Sequence, residues 1–323
     1  MPTRHRLLAI TVAAMWGINF LAIHYSLETF PPFLCAALRF GIIAIPTILL
    51  VPRPDVPWRW LIGFGVGFGI LQFAFLYWGM AAGMPAGLAS LVLQASAPFT
   101  VLLGATFLRE RLTPIRVLGI AIAVIGMTVV GWEQSAHAAF LPFLLTLAGA
   151  FGWAIGNVCN RQARAANPIR LTLWMSVIPP IPMLVVSLIV EGPTRIGEAL
   201  QEGASMTGLP ATLGLLYTIV IATLAGSGIW TWLMTRHPAG VVAPFSMLVP
   251  VFGMSTAWIV LGQAVTPLEM VGAVLVVAGV LLGSTVRRAR RTTTADTAAA
   301  AERRPDRTLD AAPASASAAD GRR

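Results

Sequence analysis

Apolar runs of about 20 residues recur from one end of this chain to the other. Each is long enough to cross a hydrocarbon core roughly 30 Å thick. A soluble domain carries roughly 25% charged residues. This chain of 323 residues carries 11%, against 57% hydrophobic, and no water-soluble fold of its size hides so much apolar surface. The reading is an all-α, polytopic membrane protein. The net charge of +9 does not point to nucleic acid. There is no lysine, and the arginines are scattered over short segments between apolar runs, as membrane orientation requires.

Ten spans are expected, at about 7–25, 33–51, 60–80, 86–108, 114–132, 139–159, 169–190, 211–234, 240–262 and 267–286. Most connections are short; the longest, 191–210, is polar and holds Glu191, Arg195, Glu198 and Glu202. Arg4 and Arg6 before the first apolar run imitate a signal peptide, but no small-residue cleavage site leads into a soluble domain, so the run reads as a retained span. Placing the N-terminus in the cytoplasm puts Arg4, Arg6, Arg53, Arg59, Arg109, Arg111, Arg116, Arg161, Arg164, Arg170, Arg236, Arg287, Arg288, Arg290 and Arg291 inside, with only Arg195 outside. The positive-inside rule then makes both termini cytoplasmic.

A pattern also repeats. Gly83-Met84-Pro85-Ala86-Gly87 opens a run with Gln94, Ser96 and Pro98 at its middle, and Thr113-Pro114 starts the next. About 153 residues later, Pro238-Ala239-Gly240 opens a run with Pro244, Ser246 and Pro250 inside, and Thr266-Pro267 restarts. Trp16-Gly17-Ile18 answers Trp153-Ala154-Ile155, Asn19 falls within one position of Asn157, Gly119 and Gly126 answer Gly272 and Gly279, and Pro46 is answered by Pro179, Pro180 and Pro182. Two halves of five spans each start on opposite sides of the membrane, so they are inverted repeats, a plan typical of carriers that alternate access. The expected units are repeats over 1–134 and 135–288 and a disordered cytoplasmic tail over 289–323, where large apolar residues almost vanish.

Polar groups inside a membrane are costly unless paired or hydrated, so they mark where to look for a site. Gln94 and Ser246 lie mid-span beside Pro98, Pro244 and Pro250. An interior proline removes one helical hydrogen bond and frees a carbonyl; these three are candidate hinges. Asn19 beside Trp16 is mirrored by Asn157 and Trp153, an amide with an aromatic face that suits a small polar solute; helix–helix bonding is the structural alternative. Gln72 and Tyr77 complete the binding candidates. Arg39, the one charge clearly inside a span, either attracts a carboxylate or holds a neighbouring helix. No Asp or Glu is expected to be buried in a span, which leaves no candidate for a carboxylate proton relay. Gly63, Gly65, Gly67 and Gly69 alternate at small-xxx-small spacing and read as packing surfaces. Cys35 and Cys159 read as buried free thiols. No metal cluster, cofactor motif or convergent acid–base set argues for an intramembrane enzyme.

Trp-Gly-x-Asn-Phe at 16–20, Leu-Arg-Phe at 38–40 and Arg-Glu-Arg-Leu-Thr-Pro at 109–114, in that order and spacing, resemble the EamA family of the drug/metabolite transporter superfamily, over about 7–286. The stretches 84–95, 156–157 and 242–251 are similar to its branch that exports cysteine and O-acetylserine. Leu261-Gly262-Gln263 departs from the Gly-Glu-Arg-like turn common in the family. The resemblance implies an inner-membrane efflux carrier for small amino-acid metabolites. It implies a cavity lined mainly by spans 1, 3, 4, 6, 8 and 9. No cofactor is expected, and a ten-span monomer can enclose its own pathway, with a weak homodimer as the other state left open. Export of aromatic amino acids, drugs or other metabolites is the alternative.

Overall fold

The computed structural model describes residues 1–110, 112–136 and 140–284. Arg111, the arginines of 287–291 and the 289–323 segment lie outside them. Every regular element among the described residues is helical. Among the described residues, nine helices are long and apolar enough to cross a membrane: Thr3–Thr29, Pro32–Leu50, Trp58–Ala81, Ala86–Phe107, Pro114–Gln134, Phe140–Ala163, Pro168–Val190, Leu209–Arg236 and Ala243–Leu261. A shorter apolar helix, Pro267–Gly283, follows. These ten are numbered spans 1 to 10 in chain order. Large apolar side chains such as Leu49, Leu50, Ile181, Ile189 and Ile259 stand exposed on the outside of the bundle. A surface of that kind is stable against lipid, not water; the chain is a multi-pass membrane protein.

Local chemistry sets the helix ends. Pro32, Pro168 and Pro193 occupy first-turn positions, where a missing N–H costs nothing. Thr266 and Glu269 form a capping box at the start of span 10: Glu269 N–H donates to Thr266 Oγ1 at 3.2 Å, and Thr266 N–H to Glu269 Oε2 at 2.8 Å. Gly262 closes span 9 in the left-handed region at φ 64°, which glycine adopts without a steric penalty.

The connection read as merely polar has two structural roles. Glu191 accepts from Phe33 N–H at 2.7 Å and Leu34 N–H at 3.0 Å, placing a carboxylate on the positive end of span 2. Pro193–Gly203 is itself a helix, with Ile196 and Ala199 buried. Glu269 corrects the expectation that no carboxylate is buried in a span. It is 4% exposed in the first turn of span 10 and accepts from Gln134 Nε2 of span 5 at 2.6 Å.

Span 1 packs on spans 8 and 9; span 6 packs on spans 3 and 4. Spans 2 and 7, 4 and 9, and 5 and 10 pair with each other. This set is unchanged when the first five spans are exchanged for the last five. Glycines make several of the contacts possible. Gly119 and Gly126 face Gly279 and Gly272 directly across the contact between spans 5 and 10. In span 3, Gly63 and Gly67 meet span 6, whereas Gly65 and Gly69 meet Ile178 and Pro179 of span 7. The alternating glycines thus serve two neighbours on two faces.

The helical winding changes at matched places. Span 3 is π-helical over Gly65–Gln72 and span 8 over Tyr217–Gly226. Span 4 tightens to 3-10 over Leu93–Ala95 and span 9 over Ala243–Leu248.

A Cβ on Gly126 would stand 2.8 Å from Gly272 O, whereas one on Gly228 meets nothing within 4 Å. Gly228→Ala is expected to keep or raise thermal stability in detergent, since alanine favours helix by about 1 kcal/mol. Gly126→Ala should lower stability by about 1–2 kcal/mol through overpacking. Equal melting temperatures for the two variants would contradict the close contact of spans 5 and 10.

Candidate functional site

Spans 4 and 9 cross where both are broken. In an α-helix the carbonyl of residue 94 would accept from residue 98, and that of residue 246 from residue 250. Both donors are missing, because those positions are Pro98 and Pro250. The chain responds by tightening: Ser96 N–H donates to Gln94 O, and Val249 N–H to Ser246 O. The Ser246 carbonyl also takes a bond from the other span, with Gln94 Nε2 at 3.3 Å, and Met247 Sδ lies 3.7 Å from the same nitrogen. Gln94 and Ser246 are therefore brought together, through the serine's backbone. Its hydroxyl is engaged locally with Ala243 O at 2.7 Å. Pro98 and Pro250 are buried at this crossing, while Pro244 is exposed.

A second polar group lies among spans 1, 2, 3 and 8. Arg39 is 5% exposed. Its Nη1 donates to Tyr77 Oη at 2.8 Å and its Nη2 to Thr223 Oγ1 at 2.9 Å. The guanidinium lies 4.0 Å from the centroid of Phe73. Thr223 passes the chain on, donating to Thr218 O at 2.7 Å across the π-helical turn. Four buried polar atoms here lack a partner: Asn19 Oδ1, Arg39 Nε, Gln72 Oε1 and Thr218 Oγ1. Gln72 adjoins Phe73 in sequence. Asn19 lies on the face of span 1 that meets span 8, since Tyr217 Oη donates to Met15 O at 3.2 Å and Gly214 packs on Ala22 O. Tyr77 is fully buried and supports Arg39.

The paired tryptophans occupy matched positions against the π-helical stretches. Trp16 Nε1 donates to Ala222 O of span 8 at 2.9 Å, and Trp153 meets Phe68 of span 3 edge-on at 6.0 Å. The paired asparagines diverge. Asn157 Nδ2 donates to Thr100 Oγ1 of span 4 at 3.1 Å. The span 9 position that answers Thr100 by the same offset as Gln94 and Ser246 is Phe252, which offers no hydroxyl.

Thr100, Thr218 and Thr223 were not among the candidates read from the sequence. Threonines in apolar spans usually turn back on their own helix, as Thr47 and Thr146 do here at 2.7 and 2.9 Å, so they carry little signal. A groove of about 550 Å³ between spans 4, 5 and 6 is lined by apolar side chains including Phe99, Leu102, Met127, Trp132 and Leu144. Of the candidates only Pro98 lines it, and its exposed walls suit a lipid chain. Cys35 is buried and Cys159 half-buried, both as free thiols.

A multi-pass bundle with polar side chains buried at broken helices is the architecture of a membrane carrier. The chain belongs to the EamA-like transporter family, whose model matches residues 4–132 and again 141–285. It is similar to a protein of Salmonella typhimurium named a probable amino-acid metabolite efflux pump, at 42% identity covering 90% of this chain and 98% of that one. An Escherichia coli protein of the same description is 41% identical over 87% of this chain and 95% of its own. A probable terminal-alkyne amino-acid exporter of Streptantibioticus cattleyicolor is 27% identical over 76% of this chain and 80% of its own. A solved crystal structure shares the fold at 20% identity, with a TM-score of 0.57 over 87% of this chain and 96% of that one. The family is one of transporters, and the chain is a transporter, not an enzyme.

Pro250→Ala restores an N–H that can donate to Ser246 O in place of Gln94. Gln94→Leu should then destabilise the Pro250→Ala protein less than the wild type, with a coupling of about 1 kcal/mol in a double-mutant cycle. Additive effects on thermal unfolding in detergent would show that the two spans do not share this carbonyl.

Proposed function

We propose that the protein exports small amino-acid metabolites across the cytoplasmic (inner) membrane by alternating access. The observation that carries this is the 42% identity, over nearly the whole of both chains, to a probable amino-acid metabolite efflux pump. The sequence branch points to solutes of the cysteine and O-acetylserine type. The proposed architecture is ten spans in two inverted repeats, 1–134 and 135–288, with both termini cytoplasmic. In favour of it are the arginine bias between spans, the two family matches along one chain and the span pairings that survive exchange of the halves.

Asn19, Gln72, Gln94, Asn157 and Ser246 are assigned to hydrogen-bond the solute, and Trp16, Tyr77 and Trp153 to shape the pathway. The amide of Gln94 is suited to this because its present partners are a carbonyl at 3.3 Å and a thioether sulfur at 3.7 Å, long contacts that a solute's carboxylate or hydroxyl can replace. Pro98, Pro244 and Pro250 are assigned as hinges.

Proteoliposomes loaded with unlabelled cysteine or O-acetylserine are expected to accumulate labelled amino acid from outside. Gln94→Leu should lower that counterflow by roughly ten-fold, the size of one lost polar contact of about 1.4 kcal/mol. Unchanged rate and solute preference in that variant would remove Gln94 from the site. Folded protein that moves no amino acid but accepts drugs or other metabolites would transfer the chain to that second substrate class.

A further inference from the structure

We propose that Arg39 is the receptor for the solute's carboxylate, and that binding exchanges its bond across the bundle to Thr223 for a bond to the solute; this rests on the amino-acid reading above. Arg39 is a charge held in a low-dielectric interior without a counter-ion. Among the described residues its side chain forms no ion pair, and its donors go to two neutral hydroxyls, Tyr77 at 2.8 Å and Thr223 at 2.9 Å. Further compensation comes from aromatic faces, Phe73 at 4.0 Å and Phe40 at 5.5 Å. Its Nε, buried, has no acceptor.

Two carboxylates elsewhere in the chain, half-buried Glu191 and buried Glu269, are treated differently. Glu191 accepts two backbone N–H groups and Glu269 one, each with a further side-chain donor. Glu191 thus receives three donors and Glu269 two, whereas Arg39 is left undersupplied with acceptors. An arginine in a span paired with hydroxyls alone is a poor structural fastener. A second tyrosine or an amide in place of the guanidinium would serve those hydroxyls without burying a charge.

The geometry suits exchange. A carboxylate binds a guanidinium through two parallel bonds, one route being Nε with a neighbouring Nη. Nε is vacant, so a carboxylate need displace only one hydroxyl. A charged acceptor forms bonds roughly twice as strong as a neutral one, so it prevails over either Tyr77 or Thr223. Displacing Thr223 also has a mechanical consequence. Tyr77 lies in span 3 and Arg39 in span 2, while Thr223 lies in the π-helical stretch of span 8. Loss of that bond separates first-half spans from a second-half span at a point where the helix is already irregular. The hydroxyl of Thr218, the residue whose carbonyl accepts from Thr223, and Asn19 Oδ1, on the face of span 1 that meets span 8, have no partners and are available to accept from an ammonium group. The solute class is therefore an α-amino acid with a free carboxylate.

The test is counterflow of labelled cysteine in proteoliposomes of the full chain, with cysteine, cysteine methyl ester and cysteamine as competitors. On the wild type, free cysteine is expected to compete at least ten-fold better than the ester or the decarboxylated amine. Arg39→Gln should abolish that preference, and Arg39→Lys should retain part of it. Thr223→Val, which removes a competitor for the guanidinium, should lower the half-saturating cysteine concentration several-fold; a purely structural arginine would give no such gain. Equal competition by acid and ester in the wild type overturns the carboxylate assignment alone, and it can be read even where Arg39→Gln does not fold. A preserved preference in folded Arg39→Gln does the same. An unchanged or raised half-saturation in Thr223→Val overturns the exchange. No wild-type counterflow with any amino acid overturns the parent reading and this one together.

Discussion

A carbonyl that loses its helical donor inside a bilayer has no water to turn to, and that constraint organises the centre of this bundle. Pro98 and Pro250 create the deficit at corresponding places in spans 4 and 9. Each span answers first by tightening into 3-10 winding, which supplies a nearer donor: Ser96 N–H for Gln94 O, two residues on, and Val249 N–H for Ser246 O, three residues on. Span 9 then draws a second donor from outside itself, the amide of Gln94. Two backbone irregularities that would each be a liability alone become one contact, held by a bond long enough to be exchanged. The close approach it needs is provided nearby, where Gly87 lies against Met254 and Ala257 and Gly253 lies against Ser90.

The same accounting separates fixed from exchangeable parts. Spans 5 and 10 meet glycine on glycine and are tied at one end by Gln134 and Glu269. Spans 2 and 7 are tied by Glu191, which also caps span 2. These contacts leave few polar atoms without partners. Among the described residues, four of the five buried unpartnered atoms lie on spans 1, 2, 3 and 8, which include the π-helical stretches; the fifth, Gln263 Oε1, follows span 9. π-Helical insertions are conformationally costly and are frequent at functional sites; here they coincide with the polar groups that the bundle itself does not satisfy.

The spans were legible because twenty-residue apolar runs have one physical explanation. The repeated pattern stands out in the sequence because glycine and proline residues recur at an offset of 152–153 in spans 4 and 5 against 9 and 10, and tryptophan and asparagine at 137–138 in span 1 against span 6. The details lay elsewhere. Span 1 runs Thr3–Thr29, longer than its apolar segment, because Arg4, Arg6 and Glu28 are good helix residues wherever they meet headgroups or water. Glu269 was missed as a buried carboxylate because its partner, Gln134, is 135 residues away. Thr100 and Thr223 were missed because a threonine that bonds its own helix looks the same in sequence as one that serves a neighbour. The glycines of span 3 could be read as two packing stripes, since residues two apart lie on opposite sides of a helix, but which neighbours they meet, spans 6 and 7, could not be read from the residues alone.

Asn19 shows how the duplication and the site bear on each other. Its counterpart Asn157 is satisfied by Thr100, whereas Phe252 stands where span 9 would have to offer the equivalent hydroxyl. An exact repeat would have paired both asparagines and left two closed interfaces. Divergence at one position keeps span 6 fastened to span 4 and leaves span 1 with an open acceptor beside span 8. The two halves thus share a scaffold but not a polar complement, and the unmatched groups fall on the side where Arg39 also lacks a counter-ion. An asymmetric solute, with an ammonium at one end and a carboxylate at the other, is matched by an asymmetric set of donors and acceptors of this kind, which two identical halves could not present.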